Sequence, residues 1–263
     1  MMNSKSKKNI LTIAGHDPTG GAGIQADIEA ILSTGNHPFS IISALTAQNT
    51  SMLDQVISQH EDDFKHQLTL LLEDSIIHAC KIGILGNSGQ ICAINEIIRP
   101  LTIPTVLDPV LCTGSGQQLM SEDLCQLIIH KLLPITTMIT PNSIEAKKLS
   151  GQNNLDDAAA FFIDHGTRAV LITGTHEDND QVINKLYTMT ESFEFNYERL
   201  PHVYHGSGCT LSASLTSYIA NLDNIKEATI SALDYTWQTL NNATKQGQSQ
   251  WTPNRFYRYD NHQ

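Results

Sequence analysis

Residues 9–35, NILTIAGHDPTGGAGIQADIEAILSTG, decide the fold of this chain. Residues 9–15 are mostly apolar, which is typical of a buried strand. Residues 21–35 have the periodicity of a helix and stop at Gly35, a frequent helix terminator. A buried strand that runs through a glycine-rich turn into a helix is the building unit of an α/β fold.

The same alternation continues outward along the chain. The patterns predict further strands and helices, the last helix with Ser121 as its N-cap: strands at 39–48, 79–86, 105–110, 136–140 and 168–174, and helices around 62–74, 89–99 and 121–133. Residues 184–200 interrupt this rhythm and are typical of a hairpin, and the chain after Cys209 is mostly helical to about Gln246. The sequence therefore predicts an α/β fold, with a mostly parallel central sheet and helices on both faces.

Composition and charge limit the classes of protein to consider. The chain has 263 residues, 40% of them hydrophobic, and a net charge of −11, which argues against nucleic acid as a partner. No stretch approaches the ~20 apolar residues that cross a membrane, so we expect no membrane contact and a cytoplasmic location. Five cysteines, an odd number without a CxxC pair, argue against a zinc site or a disulfide framework. We expect residues 1–8 to be a disordered basic tail and residues 9–263 to form a single domain.

The first loop at the carboxyl edge of the predicted sheet, where ligands bind in such folds, is rich in glycine. Gly15 and Gly20 have the spacing of a Walker A loop, but Gly21 and Ala22 stand where that loop needs Lys and Ser or Thr. A GxGxxG motif is absent as well. Two interpretations stay open: a turn that lets a ligand approach the backbone, or a tight strand-to-helix connection.

Two polar side chains follow predicted strands at this edge. Gln48 carries a primary amide, which donates and accepts hydrogen bonds and so suits an aminopyrimidine edge, although a strand-end glutamine is more often only solvated. Asp108 ends a strand just before Pro109, so its carboxylate is expected to project into the cleft.

The segment TPNSIEA, residues 140–146, also allows two interpretations. Asn142 and Glu145 have the spacing of a capping box, which would be purely structural. Alternatively, their oxygens point at hydrated Mg²⁺ and phosphates, which matches the ligand preference of that ion.

The segment HGSGCTLSAS, residues 205–214, places a thiol where a helix begins. Gly206, Ser207 and Gly208 leave backbone N–H groups free at the helix start, which predicts an anion site able to stabilise a transferred phosphoryl group. The same field is expected to lower the pKa of Cys209 from its free value of ~8.5, so that the thiol serves as a base or polariser. The alternative is that Cys209 is a small buried hydrophobe.

Taken together, these loops resemble the hydroxymethylpyrimidine/phosphomethylpyrimidine kinases of thiamine biosynthesis, in the ribokinase-like superfamily. The resemblance covers nearly the whole chain and rests on six segments in order: LTIAGHDPTGGAGIQAD (11–27), ALTAQNT (44–50), KIGILG (81–86), VLDPV (106–110), LLPITTMITPNSIEA (132–146) and HGSGCTLSAS (205–214). It implies a three-layer sandwich and ATP-dependent phosphorylation of 4-amino-5-hydroxymethyl-2-methylpyrimidine, then of its monophosphate to the diphosphate. It also suggests a homodimer.

The resemblance assigns roles residue by residue. Gly15, Asp27 and Gln48 would lie at the pyrimidine. Gly206, Ser207 and Gly208 would form the anion hole, with Cys209 where most ribokinase-like enzymes have an aspartate base. The remaining roles would be Mg²⁺ organisation by Asp108 and Glu145, and contacts to ATP or phosphate by Asn142, Thr173 and Thr210.

Three departures from the family pattern bear on activity. His16 stands where a small hydroxyl residue or aspartate is usual. Residues 112–116 lack the lysine that is common in this segment, and Thr173 stands where another lysine is usual. Two missing cations near the phosphates could weaken ATP binding or shift the substrate. Two alternatives therefore stay open: a pyridoxal kinase of the same branch, or a non-catalytic pyrimidine-sensing protein.

Overall fold

A continuous β-sheet crosses the molecule. The computed structural model describes residues 7–111, 119–175, 177 and 180–260, and within them the strands are β1 (Asn9–His16), β2 (His37–Gln48), β3 (Leu53–Ser58), β4 (Ala79–Ile82), β5 (Thr105–Leu107), β6 (Met138–Ile139), β7 (Ala169–Ile172), β8 (Gln181–Thr188) and β9 (Ser192–Glu198). Their spatial order is β3-β2-β1-β4-β5-β6-β7-β8-β9. Neighbouring strands in the run β2-β1-β4-β5-β6-β7 pair in parallel. At one end β3 pairs antiparallel with β2, and at the other end β8 pairs antiparallel with β7 and β9 with β8.

Helices cover both faces of this sheet. They are α1 (Gly23–Ser33), α2 (Glu61–Asp74), α3 (Ser88–Ile98), α4 (Glu122–Leu127), α5 (Ser143–Ser150), α6 (Leu155–Asp164), α7 (Ser207–Ile219), α8 (Ile225–Asn241) and α9 (Tyr257–Asp260). Among the described residues, no helix is both long and apolar enough to cross a bilayer.

Strand periodicity divides the core between the two faces. On β7, Ala169 and Leu171 pack with residues of α7 and α8, whereas Val170 and Ile172 pack with residues of α2 to α6. Because successive strand side chains point to opposite faces, a fully apolar strand must be covered on both sides. The three-layer α/β architecture predicted from the sequence is thereby confirmed.

Several local predictions are also confirmed. Gly35 has a left-handed φ of 92° just beyond α1, where glycine is the favoured residue. Ser121 caps α4 by accepting a hydrogen bond from the Leu124 N–H. The predicted hairpin corresponds to β8 and β9.

Strand β3 was not predicted. Its sequence, LDQVIS, lies at the edge of the sheet and is mostly exposed, so it lacks the apolar run that marks the inner strands. At the N-terminus, residues 1–6 of the expected tail lie outside the described residues. Lys8 is held by a hydrogen bond from its N–H to Asn36 Oδ1 (3.0 Å).

Candidate active site

The predicted site residues gather at the carboxyl edge of the parallel strands. Gly15 lies near the end of β1, Gln48 ends β2, Asp108 follows β5, Asn142 follows β6 and Thr173 follows β7. The start of α7 joins this edge, because Ser212 Oγ donates a hydrogen bond to Asp108 Oδ2 (3.2 Å). Ligands of open α/β sheets bind at this edge.

Two glycine-rich loops, far apart in the chain, touch at the start of α7. Gly206 has a left-handed φ of 82°, and a Cβ placed on it would lie 2.0 Å from the carbonyl oxygen of Gly21. A Cβ on Gly21 would in turn lie 2.4 Å from Cδ2 of His205. Only glycine at both positions permits this approach, which accounts for the two glycines in physical terms.

A hydrogen bond between two side chains reinforces the same contact. His205 Nε2 lies 2.8 Å from Asp17 Oδ2, and this carboxylate also accepts hydrogen bonds from the backbone N–H groups of Thr19 and Ala22. Burial alone would raise the pKa of Asp17, but the hydrogen bonds from His205 and Thr19 outweigh it and hold that pKa well below its usual range.

The start of α7 has no side-chain cap, as an anion site at a helix N-terminus requires. The N-cap residue Gly206 makes no side-chain cap, and open space surrounds Gly208. The N–H groups of the first turn, including those of Ser207 and Gly208, are therefore left for a ligand, and the helix dipole adds to their attraction for negative charge.

A buried network of charges lies beside this helix start. Lys81 Nζ is 2.9 Å from Asp27 Oδ2 and 4.0 Å from Asp108 Oδ2, and both Lys81 and Asp27 are fully buried. Thr12 also donates a hydrogen bond to Asp27. Glycine at position 83 leaves the space for the ammonium group, because a Cβ there would lie 2.6 Å from Lys81 Nζ. Burial would lower the pKa of Lys81, but Asp27, Cys209 and Asp108 raise it above its ordinary value, so the side chain is charged.

The lowered pKa predicted for the Cys209 thiol is wrong. Although Cys209 is partly exposed as a residue, desolvation in this cleft raises the pKa of its thiol to about 12. Lys81 and a backbone hydrogen bond from Gly23 act in the lowering direction, and Asp108 and Asp27 oppose them. The helix dipole considered alone gave the wrong sign because it neglected this desolvation and the two carboxylates.

Asp27 lies deeper than a residue in direct contact with a pyrimidine is expected to lie. It is fully buried and bound to Lys81 and Thr12, while its Oδ1 has no hydrogen-bond partner among the described residues. The predicted contact with substrate stays a prediction. The structure gives Asp27 a further task, which is to hold the Lys81 ammonium next to Asp108.

Asp108 and Glu145 fit the chemistry of a divalent cation. Burial raises the pKa of the Asp108 carboxyl group, and burial together with the charge of Asp108 raises the pKa of Glu145 to about 8. An added cation would stabilise two desolvated carboxylates of this kind, because its charge offsets the burial that raises their pKa values. Among the described residues, no cluster of three or more His, Cys, Asp or Glu side chains could hold a metal, so water and phosphate would complete the coordination, as Mg²⁺ prefers.

The capping-box interpretation of Asn142 and Glu145 is confirmed. Glu145 N–H donates to Asn142 Oδ1 (2.9 Å), and Asn142 N–H donates to Glu145 Oε2 (3.0 Å). Asn142 also bridges to Thr173, so two predicted ATP-binding residues are neighbours. Contacts of these residues with nucleotide or metal stay predictions.

The remaining predicted residues occupy different environments. Gln48 is partly exposed at the end of β2, and Gly15 is buried against Ile84. Thr210 is fully buried, and its hydroxyl donates to the Gly206 carbonyl (2.8 Å), so its side chain supports the loop from behind. The lysine-free segment 112–116 lies outside the described residues.

A cavity of about 210 Å³ opens at the opposite end of the sheet. It is lined by Thr105 at the start of β5 and by Thr137 and Arg168, which precede β6 and β7. Its position at the amino ends of the strands separates it from the cluster described above.

Comparison with known proteins agrees with this geometry. A model of the phosphomethylpyrimidine kinase family matches residues 17–254. A hydroxymethylpyrimidine/phosphomethylpyrimidine kinase of Staphylococcus aureus (strain MSSA476) is 32% identical over 95% of this chain and 94% of its own length. The chain belongs to the phosphomethylpyrimidine kinase family.

Two solved structures have the same fold. The pyridoxal kinase from Staphylococcus aureus in complex with AMP-PCP superposes with a TM-score of 0.87 at 28% identity, covering 95% of this chain and 94% of that one. The phosphomethylpyrimidine kinase from Clostridium difficile 630 has a TM-score of 0.78 at 32% identity, covering 89% of this chain and all of that one. The ribokinase-like fold expected from the sequence is confirmed.

Three residues of the site were not singled out from the sequence: Asp17, Lys81 and His205. Lys81 carried a usable signal, because a lysine inside an otherwise apolar buried strand requires a partner. Asp17 and His205 carried none, since they are 188 positions apart and only the fold brings them together.

Proposed function

We propose that this protein catalyses ATP-dependent phosphorylation of 4-amino-5-hydroxymethyl-2-methylpyrimidine, and then of the resulting monophosphate to the diphosphate, in thiamine diphosphate biosynthesis. The observation that carries the proposal is the uncapped start of α7, held against the first glycine-rich loop and beside Asp108. Membership of the phosphomethylpyrimidine kinase family supports the choice of substrate.

In the first step, the hydroxymethyl oxygen attacks the γ-phosphorus, a new O–P bond forms, and the bond to ADP breaks. The N–H groups of Ser207 and Gly208 donate to the transferring phosphoryl oxygens, where negative charge must be stabilised. The alcohol proton passes to an oxygen of the transferring phosphoryl group as the new O–P bond forms. With a pKa of about 12, the Cys209 thiol is protonated at neutral pH, so it orients and polarises the hydroxyl instead of acting as a resting thiolate.

In the second step, the acceptor is already an anion. The second pKa of a phosphate monoester is ~6, so its oxygen needs no deprotonation at pH 7. Asp108 and Glu145 would hold Mg²⁺, which supplies charge neutralisation for the phosphates. Asn142 and Thr173 lie side by side at the same edge, which supports their assignment to the nucleotide.

A pyridoxal kinase is the second candidate. The observation in its favour is the TM-score of 0.87 with the Staphylococcus aureus pyridoxal kinase, against 0.78 with the Clostridium difficile phosphomethylpyrimidine kinase. Both substrates are azines that carry a hydroxymethyl group, so the same anion cradle, formed by the amides of residues 206–208 at the start of α7, serves either reaction.

A substrate panel separates the candidates. Purified protein is mixed with ATP, Mg²⁺ and either the pyrimidine alcohol, its monophosphate or pyridoxal, and ADP release and product mass are measured. The proposal predicts turnover of the first two, with Asp108→Asn as a control for contaminating kinases. Turnover of pyridoxal alone would support the second candidate, and binding of the pyrimidine without ADP release would support the non-catalytic alternative. The expected homodimer and cytoplasmic location stay predictions.

A further inference from the structure

Arg255 is a fully buried arginine that the reaction described above does not use. It lies in the segment between α8 and α9, and its guanidinium contacts three other parts of the chain. Nε donates to Thr210 Oγ1 (2.9 Å), Nη1 to Glu29 Oε2 (3.0 Å), and Nη2 to the carbonyl oxygen of Gly21.

These bonds connect both sides of the loop contact at the anion cradle. Gly21 O is the atom against which Gly206 packs, and Arg255 binds it directly. On the other side, Thr210 accepts from Arg255 and donates its own hydroxyl to Gly206 O (2.8 Å). A single guanidinium therefore fixes the first glycine-rich loop directly and the N-cap of α7 through one hydroxyl.

The backbone of Arg255 is anchored as firmly as its side chain. Its carbonyl oxygen accepts from Ser33 Oγ (2.6 Å) and Tyr235 Oη (2.9 Å). Four residues earlier in the chain, the carbonyl oxygen of Trp251 accepts a hydrogen bond (2.9 Å) from the N–H of His205, the residue that directly precedes the cradle. The arginine is thus held in place by α1, α8 and the strand-like segment that leads into α7.

The chemistry of these contacts requires an arginine. The guanidinium has four acceptors, since Nη1 also donates to the Gly20 carbonyl oxygen (3.5 Å). A planar fork with five N–H groups can reach them all, whereas a lysine offers a point charge. Three of the four are uncharged oxygens, so geometry matters here as well as charge.

We propose that Arg255 is a positioning residue that sets the spacing between the first glycine-rich loop and the α7 amide cradle, and thereby the rate of phosphoryl transfer. This inference rests on the proposed kinase function of the cradle. Since misplacement of a reacting group by about 1 Å can cost on the order of 10²-fold in rate, the effect should appear in kcat. KM for the pyrimidine should change less than kcat, because Gln48, one of the predicted pyrimidine contacts, lies on a different loop.

The kinetic test compares Arg255→Lys with Arg258→Lys. Arg258 lies on the same segment, is exposed and contacts Tyr257 Oη (3.0 Å), so the control makes the same substitution away from the cradle. We expect kcat to fall about 10- to 100-fold in Arg255→Lys, with KM within about 3-fold of wild type, and no change in Arg258→Lys. Equal kcat values in Arg255→Lys and wild type would overturn the inference.

Two further measurements keep the test decisive. If Arg255→Lys does not fold, Thr210→Ala breaks the same chain of hydrogen bonds and should lower kcat, whereas Thr210→Ser should restore it. An unchanged kcat in Thr210→Ala would then refute the positioning role.

If the wild type phosphorylates none of the azines, the proposed function fails instead, and amide hydrogen exchange decides on Arg255. The inference then requires faster exchange at residues 17–22 and 203–210 in Arg255→Lys or Thr210→Ala, but not in Arg258→Lys, and unchanged exchange would overturn it.

Discussion

The imidazole of His205 lies 2.8 Å from the carboxylate of Asp17, across 188 positions of sequence. Asp17 belongs to the loop after β1, and His205 directly precedes the cradle at α7. The first glycine-rich loop and the start of α7 are thus joined by this hydrogen bond at one point and by Arg255 at another. Because the contact between Gly21 and Gly206 leaves no room for side chains, small losses of this anchoring should be measurable in both stability and rate.

The first prediction concerns Asp17→Asn. A carboxyl group with a depressed folded-state pKa contributes stability above its unfolded pKa of ~3.9, and loses it as pH falls toward the folded value. We therefore expect Asp17→Asn to lower the free energy of unfolding by about 1–3 kcal/mol at pH 6, and the difference to shrink between about pH 5 and pH 2. Urea titrations across this range measure it, with the exposed Asp223→Asn as the control. A difference that stays constant down to pH 2 would contradict the assignment.

The second prediction concerns Glu145→Gln. The folded-state pKa of Glu145 is raised from 4.5 to about 8, so its stability contribution is present at low pH and is lost as pH rises through 8. Glutamine keeps the capping box but cannot ionise. Without metal, we expect Glu145→Gln to gain stability relative to wild type between pH 5 and pH 9, by about 2–4 kcal/mol.

Mg²⁺ provides the control for this experiment. A cation bound at Asp108 and Glu145 should stabilise the wild type at pH 8 and reduce the difference, while the variant should need more Mg²⁺ for turnover. If the stability of wild type and Glu145→Gln differed by the same amount at every pH, with and without Mg²⁺, Glu145 would have only its capping role.

The third prediction concerns Gln48→Ala. If Gln48 binds the aminopyrimidine edge, its removal leaves ring groups unpaired in a desolvated pocket, which costs ~1–3 kcal/mol, or roughly 5- to 150-fold in affinity. Calorimetric titration with the pyrimidine alcohol measures this loss, while AMP-PCP affinity should stay the same. Gln55→Ala, an exposed position on the adjacent strand β3, is the matched control. Equal pyrimidine affinities in the wild type and both variants would remove Gln48 from the site.

The inner fold was predictable because its strands carry their own signal. β7, with Val170 and Leu171, is apolar on both faces, and only a strand between two helix layers has that pattern. Strand β3 was not predicted because an exposed edge strand needs no apolar residues on either face, so its sequence lacks that pattern. The loops at the carboxyl edge were predictable from glycines and strand-end polar residues, but the connections among them were not. Arg255 illustrates the reason, since its partners Gly21 and Thr210 lie 234 and 45 positions away.

Electrostatics was the least predictable feature of the site. The sequence around Cys209 suggested only a helix dipole, which favours a thiolate. The field at the sulfur also includes Lys81, Asp27 and Asp108, which come from three other elements, and the desolvation that their packing produces. The sign of the pKa shift depended on tertiary packing, which local sequence does not contain.

The last prediction concerns Cys209→Ala and uses the difference between the two acceptors. An alcohol is a poor nucleophile at neutral pH, so polarisation by the thiol should help the first phosphorylation. Acid–base assistance of this kind is worth up to ~10²–10⁴-fold, and a neutral thiol should supply the lower part of that range. The monophosphate is already ionised at pH 7 and needs no such help. The amide cradle at residues 206–208 should persist in the variant and serve both steps.

We therefore expect Cys209→Ala to slow phosphorylation of the alcohol by about 10²-fold or more, and phosphorylation of the monophosphate by less than about 10-fold. Single-turnover kinetics, started separately from each acceptor, measure the two losses, with the exposed Cys92→Ala as the control. Because the pKa of the thiol is about 12, the wild-type rate of the first step should show no thiol ionisation between pH 7 and pH 9. A thiol that only fills space would give similar small losses in both steps, and that outcome would exclude the polarising role of Cys209.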